Sequence, residues 1–364
     1  MILVSPDKFK GTISARDAAH IIAEEFRLIV GDEVRELPLA DGGEGTSDII
    51  AGLLGMTPYT LPATDSLGGR IIARYHVTPD DSTVALDAGA VLSLTYLDRA
   101  RLNIMQATSA PLGRLIRDIV HRHNPRQIYL GVGGTSTSDC GAGMLQALGA
   151  TLRDENGKII TTDISPAMLP QIAAVDFSTI LPLPELNLLC DVDVPLLAED
   201  TAPSSLSFAR QKGLSGSDCQ LLISALSHWI SLGVTDNGPF TGAGGGLISA
   251  LTGRFTPRRG AEAIISLAGI DRLKPSLVVT GEGSVDSQSL MGKVTGTLAG
   301  MARRLGIPII AIGGKAEHDK ALKKAFDVIY STVELFPEIS DPEERLRLTA
   351  ATAAHNFAQF LKNR

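Results

Sequence analysis

A chain of 364 residues, 44% apolar and 20% charged, exceeds what one hydrophobic core commonly organises, and its composition is that of a soluble enzyme with two domains. A net charge of −7 without a long lysine or arginine run argues against a nucleic-acid or anionic-membrane partner, since both need a basic face. The cysteines, Cys140, Cys190 and Cys219, are odd in number and far apart, which suggests a reducing compartment rather than disulfides or a CxxC metal site.

The chain opens on ILV, an apolar run too short for an export signal, and no window reaches roughly 18 uninterrupted apolar residues, so a cytoplasmic protein is expected. That run predicts a first buried strand. A helix follows over residues 15–28, with Ser14 as its cap and Asp17 in a capping-box-like position. RIIARYHV, within residues 57–81, alternates as a strand does. Further strands are predicted at IYLGV (128–132), LNLLC (186–190), LVVT (277–280) and IPIIAI (307–312). Helices are predicted over 112–121, 142–148, 218–231, 296–305 and 342–362. Continuous apolar runs that each enter a polar or glycine-rich turn read as buried parallel strands, and hence as an α/β architecture. Polar, glycine-rich clusters near both ends favour a discontinuous first domain, residues 1–75 plus 270–364, with 76–269 inserted.

Five clusters carry candidate chemistry. SPDKFKG places Asp7, Lys8 and Lys10 just past the first strand, at the edge where open α/β sheets bind ligands. GEGTSD (43–48) and GEGSVD (281–286) share the form GEG[ST]xD; each sets a carboxylate between glycines that can turn sharply, and its oxygens suit a Mg²⁺ shell. GVGGTSTSDCGAG (131–143) runs from a strand into a helix start, an arrangement that makes an anion site. CDVDVP (190–195) ends a strand with Asp191 and Asp193, and either could orient a hydroxyl and accept its proton. FTGAGGGL (240–247) reads as a close-approach loop or a helix entry. His121 and His123 flank Arg122 near a helix end, a dipole position rather than a metal pair.

Standard fingerprints fail. A Walker A loop ending at GK needs glycine and a hydroxyl where Ser287 and Val294 stand. Dinucleotide GxGxxG patterns break at Ser136 and Leu247, which disfavours nicotinamide chemistry.

Taken together, SPDKFKG, PLADGGEGT, GVGGTSTSDCGAGMLQALGA, CDVDVP, QKG (211–213) and TGEGSVDSQSLMGK resemble the glycerate kinases of bacterial glycolate and glucarate metabolism, of the two-domain glycerate 2-kinase type. The resemblance implies a Rossmann-like parallel-sheet domain and an inserted flavodoxin-like domain. It also implies ATP-dependent phosphorylation of D-glycerate to 2-phosphoglycerate with Mg²⁺. On that basis the site is expected in a cleft between the domains, acting on a small molecule as a monomer or homodimer. Gly133, Gly134, Thr135, Ser136, Thr137, Asp139 and Lys293 are expected to bind phosphates; Asp41, Glu44, Glu282 and Asp286 to hold Mg²⁺. Asp7, Lys10, Asp41, Gly42, Gly43, Glu282 and Gln288 are expected to contact the acid, with Asp191, Asp286 and Lys10 catalytic. Asp191 is preferred as the group that orients the acceptor hydroxyl. Departures from the family pattern at Val194, at Ala209 and Arg210, and in the short TGAGGGL loop leave two alternatives open: a kinase of another small hydroxy acid, or a hydroxy-acid binding protein.

Overall fold

The computed structural model describes residues 1–9, 11–98, 102–198 and 204–363. In chain order its strands are β1 Ile2–Val4, β2 Val34–Glu36, β3 Thr57–Thr64, β4 Arg70–Val77, β5 Thr83–Asp87, β6 Gln127–Gly131 and β7 Thr151–Arg153. They continue with β8 Ala174–Asp176, β9 Glu185–Cys190, β10 Arg258–Arg259, β11 Leu277–Val285, β12 Ile309–Ala316 and β13 Val328–Ser331. The chain divides into two compact units, Met1–Asp41 with Ala261–Arg364, and Gly42–Gly260. No helix among the described residues is long and apolar enough to cross a membrane.

In the terminal unit the sheet order is β13-β12-β11-β1-β2, with every pairing parallel. Ranked within the unit this is 2-1-3-4-5, the flavodoxin-like form of a doubly wound sheet. Its strands are apolar throughout because helices cover both faces; Ile2, Leu3, Val4, Val278 and Val279 are fully buried. The helix Ala15–Val30 starts where Ser14 Oγ accepts the Asp17 amide at 3.1 Å, a cap worth about 1 kcal/mol, and stops at left-handed Gly31. Its stripe of Ala18, Ala19, Ile22 and Phe26 shares a core with Leu346, Ala350, Ala353 and Phe357 of the helix Pro342–Lys362.

The inserted unit has a six-stranded sheet in sequential order, β10-β9-β6-β5-β4-β3. Strands β5, β6, β9 and β10 run parallel, while β3 and β4 form an antiparallel pair added at one edge. Tyr75, Leu86, Ile116, Leu130, Leu188 and Trp229 fill its core. His123 is tied to Asp81 at 2.7 Å and to the Tyr75 hydroxyl at 3.0 Å, a structural use of that histidine.

Three expectations need correction. The unit boundary falls after Asp41 and not after residue 75, because β3 and β4 pair with β5 and so belong to the inserted sheet. The flavodoxin-like strand order lies in the terminal unit rather than the inserted one. And GEGSVD is not a glycine-hinged turn: β11 runs on through it to Val285, in register with β12, and neither Gly281 nor Gly283 has positive φ. Gly281 is there for close approach, since a Cβ would lie 2.3 Å from the Ile312 carbonyl.

Candidate active site

In the inserted unit the candidate residues gather at the carboxyl ends of β5, β6 and β9, the edge where parallel α/β sheets bind ligands. Asp87 closes β5. Its buried carboxylate accepts the Gly45 amide at 2.9 Å, the Ser47 amide at 2.9 Å and the Ser47 hydroxyl at 3.0 Å. It therefore pins the GEGTSD turn and the start of the helix Thr46–Leu54 onto the sheet. Burial raises its pKa to about 6 against those hydrogen bonds.

Asp191 follows β9 directly, and its carboxylate lies against the backbone of Gly133, which Gly43 also approaches. A Cβ on Gly133 would stand 2.6 Å from Asp191 Oδ2 and 2.8 Å from Gly43 Cα, so only glycine leaves the carboxylate room. The Gly133 amide donates to the Gly42 carbonyl at 3.1 Å, which brings the turn after residue 42, the loop after β6 and the end of β9 into one place. Beside them Lys212, itself buried, donates to the Thr137 carbonyl at 2.8 Å and reaches Thr135 Oγ1 at 3.4 Å. Asp193, by contrast, is half-exposed and salt-bridged to Arg259.

Within the phosphate cradle expected over residues 133–139, Asp139 is turned to the protein itself, while Thr137 Oγ1 and Ser138 Oγ are buried without a hydrogen-bond partner. Asp139 is wholly buried and accepts the Ser109 amide and hydroxyl, both at 2.7 Å, together with the Gly141 and Gly143 amides at 3.2 and 3.3 Å. The Met144 amide is taken by Ser109 Oγ at 2.9 Å. The amides that open the short helix Ala142–Ala147 thus already bind an anion, the Asp139 carboxylate, so the expected role of Asp139 in holding phosphate is not compatible with its bonding. Ser136 is likewise buried, paired with Ser66 at 2.7 Å, and Thr135, Thr137 and Ser138 are buried too; Gly134 alone in that run is exposed.

The terminal unit carries a second cluster at the β1/β11 switch point. The Asp7 amide donates to the Gly281 carbonyl at 2.8 Å, and the neighbouring Glu282 is buried. Burial, then the Asp41 carboxylate, and to a lesser degree Glu282, push the Asp7 pKa up to about 8, against the Lys8 amide that donates to its Oδ1 at 2.7 Å. Burial also raises Glu282, opposed chiefly by Lys293, whose Nζ lies 3.3 Å from Oε2. Glu282 Oε1 has no partner in hydrogen-bonding geometry, although the Ser289 and Thr295 hydroxyls lie beside the carboxyl. The helix Val294–Leu305 begins here with Lys293 at its cap position and no side-chain cap.

Of the remaining expected residues, Asp286 is a capping residue: it accepts the Gln288 amide at 2.9 Å and the Ser284 hydroxyl at 3.1 Å, and Ser289 Oγ accepts the Asp286 amide at 3.0 Å. Gln288 is exposed in that turn, and Glu44 is exposed in the other GEG segment. Among the described residues no group of three or more carboxylate, imidazole or thiolate side chains is gathered for a metal. Lys10 lies outside the described residues. Asp87 and Lys212 were not singled out in the sequence. An aspartate closing the apolar VALD run and the lysine of QKG were the available signals.

A doubly wound sheet, a strand-end carboxylate and a buried lysine define an α/β enzyme. The model of the glycerate kinase family matches residues 2–362, so the chain belongs to the glycerate kinase family and is an enzyme of the kinase class. It is 31% identical over 350 residues to the glycerate 2-kinase of Escherichia coli K12, covering 91% of this chain and 90% of the relative. With the glycerate kinase of Halalkalibacterium halodurans it shares 28% over 375 residues, 98% of this chain and 97% of the relative. A crystal structure from Salmonella typhimurium LT2, described as that of a glycerate kinase 2, superposes with a TM-score of 0.81 at 31% identity, covering 100% of this chain and 98% of that one.

Proposed function

We propose that this chain transfers the γ-phosphoryl group of ATP to D-glycerate, forming 2-phosphoglycerate, as a cytoplasmic enzyme that uses Mg²⁺. Family membership supports glycerate as acceptor, and the glycerate 2-kinase relative supports the 2-hydroxyl. The observation that carries the reading is the Asp191 carboxylate at the end of β9, seated on Gly133 in the loop that Lys212 ties down at Thr137. A carboxylate so placed orients the acceptor hydroxyl. As the new O–P bond forms and the bond to ADP breaks, it takes the hydroxyl proton, and a loose transition state asks little basicity of it. Its rival, Asp286, is committed to a helical cap, which favours Asp191.

For the phosphates of ATP the start of the helix Val294–Leu305 is the better candidate. It has no side-chain cap, Lys293 stands at its cap position, and the Thr295 hydroxyl is buried there beside the Glu282 carboxyl. Mg²⁺, when bound, would neutralise charge on those phosphates; it commonly takes only one or two carboxylates and completes its shell with phosphate and water. Asp41 and Glu282 fit that requirement, because Asp7 is raised by both and a cation would relieve the repulsion. Asp7 and Lys8 would then lie within reach of the anionic ligand.

Phosphorus NMR of the products from ATP, Mg²⁺ and D-glycerate tests the reading. A 2-phosphoglycerate resonance is expected. A 3-phosphoglycerate product would overturn the regiochemistry, and turnover of another hydroxy acid with none of glycerate would overturn the substrate.

A further inference from the structure

Lys212 is a buried cation without a structural need to be one. It is only 6% exposed, and a neutral donor would tie two loops together without the cost of desolvating a charge. Its ammonium carries three N–H groups, of which the Thr137 carbonyl takes one at 2.8 Å and Thr135 Oγ1 a longer one at 3.4 Å. From the other side the left-handed run Gly244, Gly245 and Gly246 closes upon it: a Cβ on Gly245 would lie 2.7 Å from Nζ and 1.8 Å from the Thr137 carbonyl oxygen. Two carboxylates, Asp191 and Asp139, act electrostatically on the ammonium. Asp139 already accepts four hydrogen bonds from Ser109, Gly141 and Gly143, whereas Asp191 is seated on Gly133, two residues before the stretch that Lys212 holds through Thr135 and Thr137.

We infer that Lys212 is a positioning residue for phosphoryl transfer: its ammonium clamps residues 135–137 against the glycine run and so fixes the loop on which the Asp191 carboxylate is seated to receive the acceptor hydroxyl. The inference rests on the role proposed for Asp191. Burial lowers the Lys212 pKa to about 8 while Asp191 and Asp139 resist the shift. The ammonium therefore dominates at neutral pH and is lost above pH 8. Transfer should fade over that range for a reason that resides in one side chain.

The test uses the full chain with Lys212→Met, which keeps length and removes charge, and Lys212→Gln, which keeps a donor. Steady-state rates with D-glycerate and saturating ATP and Mg²⁺ are followed from pH 6 to 9.5. Loss of kcat by about 100-fold is expected, with the acid KM within about threefold, and the alkaline limb near pH 8 should vanish in both variants. A change of a few fold, an effect on KM alone, an unaltered alkaline limb, or failure of both variants to fold would overturn it. If the wild type phosphorylates no hydroxy acid, the proposed function falls by itself. Denaturant unfolding then decides the matter of Lys212. Wild-type stability relative to Lys212→Met should rise as pH passes from 8 to 10, when the buried charge is lost, and a pH-independent difference would overturn it.

Discussion

After β6 the chain runs through glycines and hydroxyls into the helix Ala142–Ala147, and the opening amides there are filled by Asp139 and Ser109. After β11 it runs through a capped turn into the helix Val294–Leu305, which has no side-chain cap; Lys293 stands at the cap position and the buried Thr295 hydroxyl at the first turn. Both junctions use the same residue types. What separates them is where the chain places its own carboxylate: Asp139 turns toward the amides of the helix that follows it, whereas Asp286 closes its own short turn three residues earlier and leaves the next helix uncapped. A glycine- and serine-rich strand-to-helix loop is therefore an anion site only if the protein has not supplied the anion.

The largest effect that would test this contrast comes from the β9 end beside the filled junction. Asp191→Asn should lower kcat by about 100- to 1,000-fold with ATP KM nearly unchanged, measured by coupled ADP release. Survival of activity within a few fold would remove Asp191 from the transfer step. Asp139→Asn should act on stability instead, costing about 2–3 kcal/mol in urea unfolding because buried amides lose a charged acceptor. If that variant instead weakened ATP binding without destabilising the fold, the filled junction would have been read the wrong way round.

Lys293→Ala should do the reverse of Asp139→Asn: ATP KM raised about tenfold, with little change in the urea midpoint, since the lysine is partly exposed. An unchanged KM would close the open junction as a phosphate site. The smallest effect concerns the turn that overlies the filled junction. Asp87 has a pKa of about 6 in the folded chain, raised from 3.8, so its protonated form is favoured by folding. Wild-type stability relative to Asp87→Asn should accordingly fall as pH rises from 4 to 6 and level off beyond it. A flat difference across that range would mean the carboxylate is not held as buried as its hydrogen bonds imply.

The regular elements were readable because their signals are local. Ser14 and Asp17 mark the start of a helix whose apolar stripe recurs with helical period, and ILV, LNLLC and LVVT are too short and too apolar to be anything but buried strands. The site was half readable. Asp191 ends a legible strand, and Lys293 closes a motif. The GEG echo misleads, because six residues cannot reveal that one copy turns at Gly45 while the other stays extended beside β12. Asp87 and Asp139 owe their roles to amides about 30 to 40 positions away, Ser47 and Ser109. Lys212 owes its role to Thr137, 75 residues upstream. No spacing rule encodes such pairings.

The terminal unit also sets the order in which this chain can be finished. Its first strand sits inside the sheet, and Thr280 Oγ1 bonds the Ser5 carbonyl at 2.9 Å across 275 residues of sequence. At about 5–20 residues per second on the ribosome, β1 waits on the order of 15–50 s for β11 to emerge. During that interval Ile2, Leu3 and Val4, fully buried in the finished fold, have neither β11 nor the C-terminal helix to cover them. A nascent chain of this protein therefore leaves β1 open to chaperones and to aggregation until β11 emerges, in the last quarter of the 364 residues.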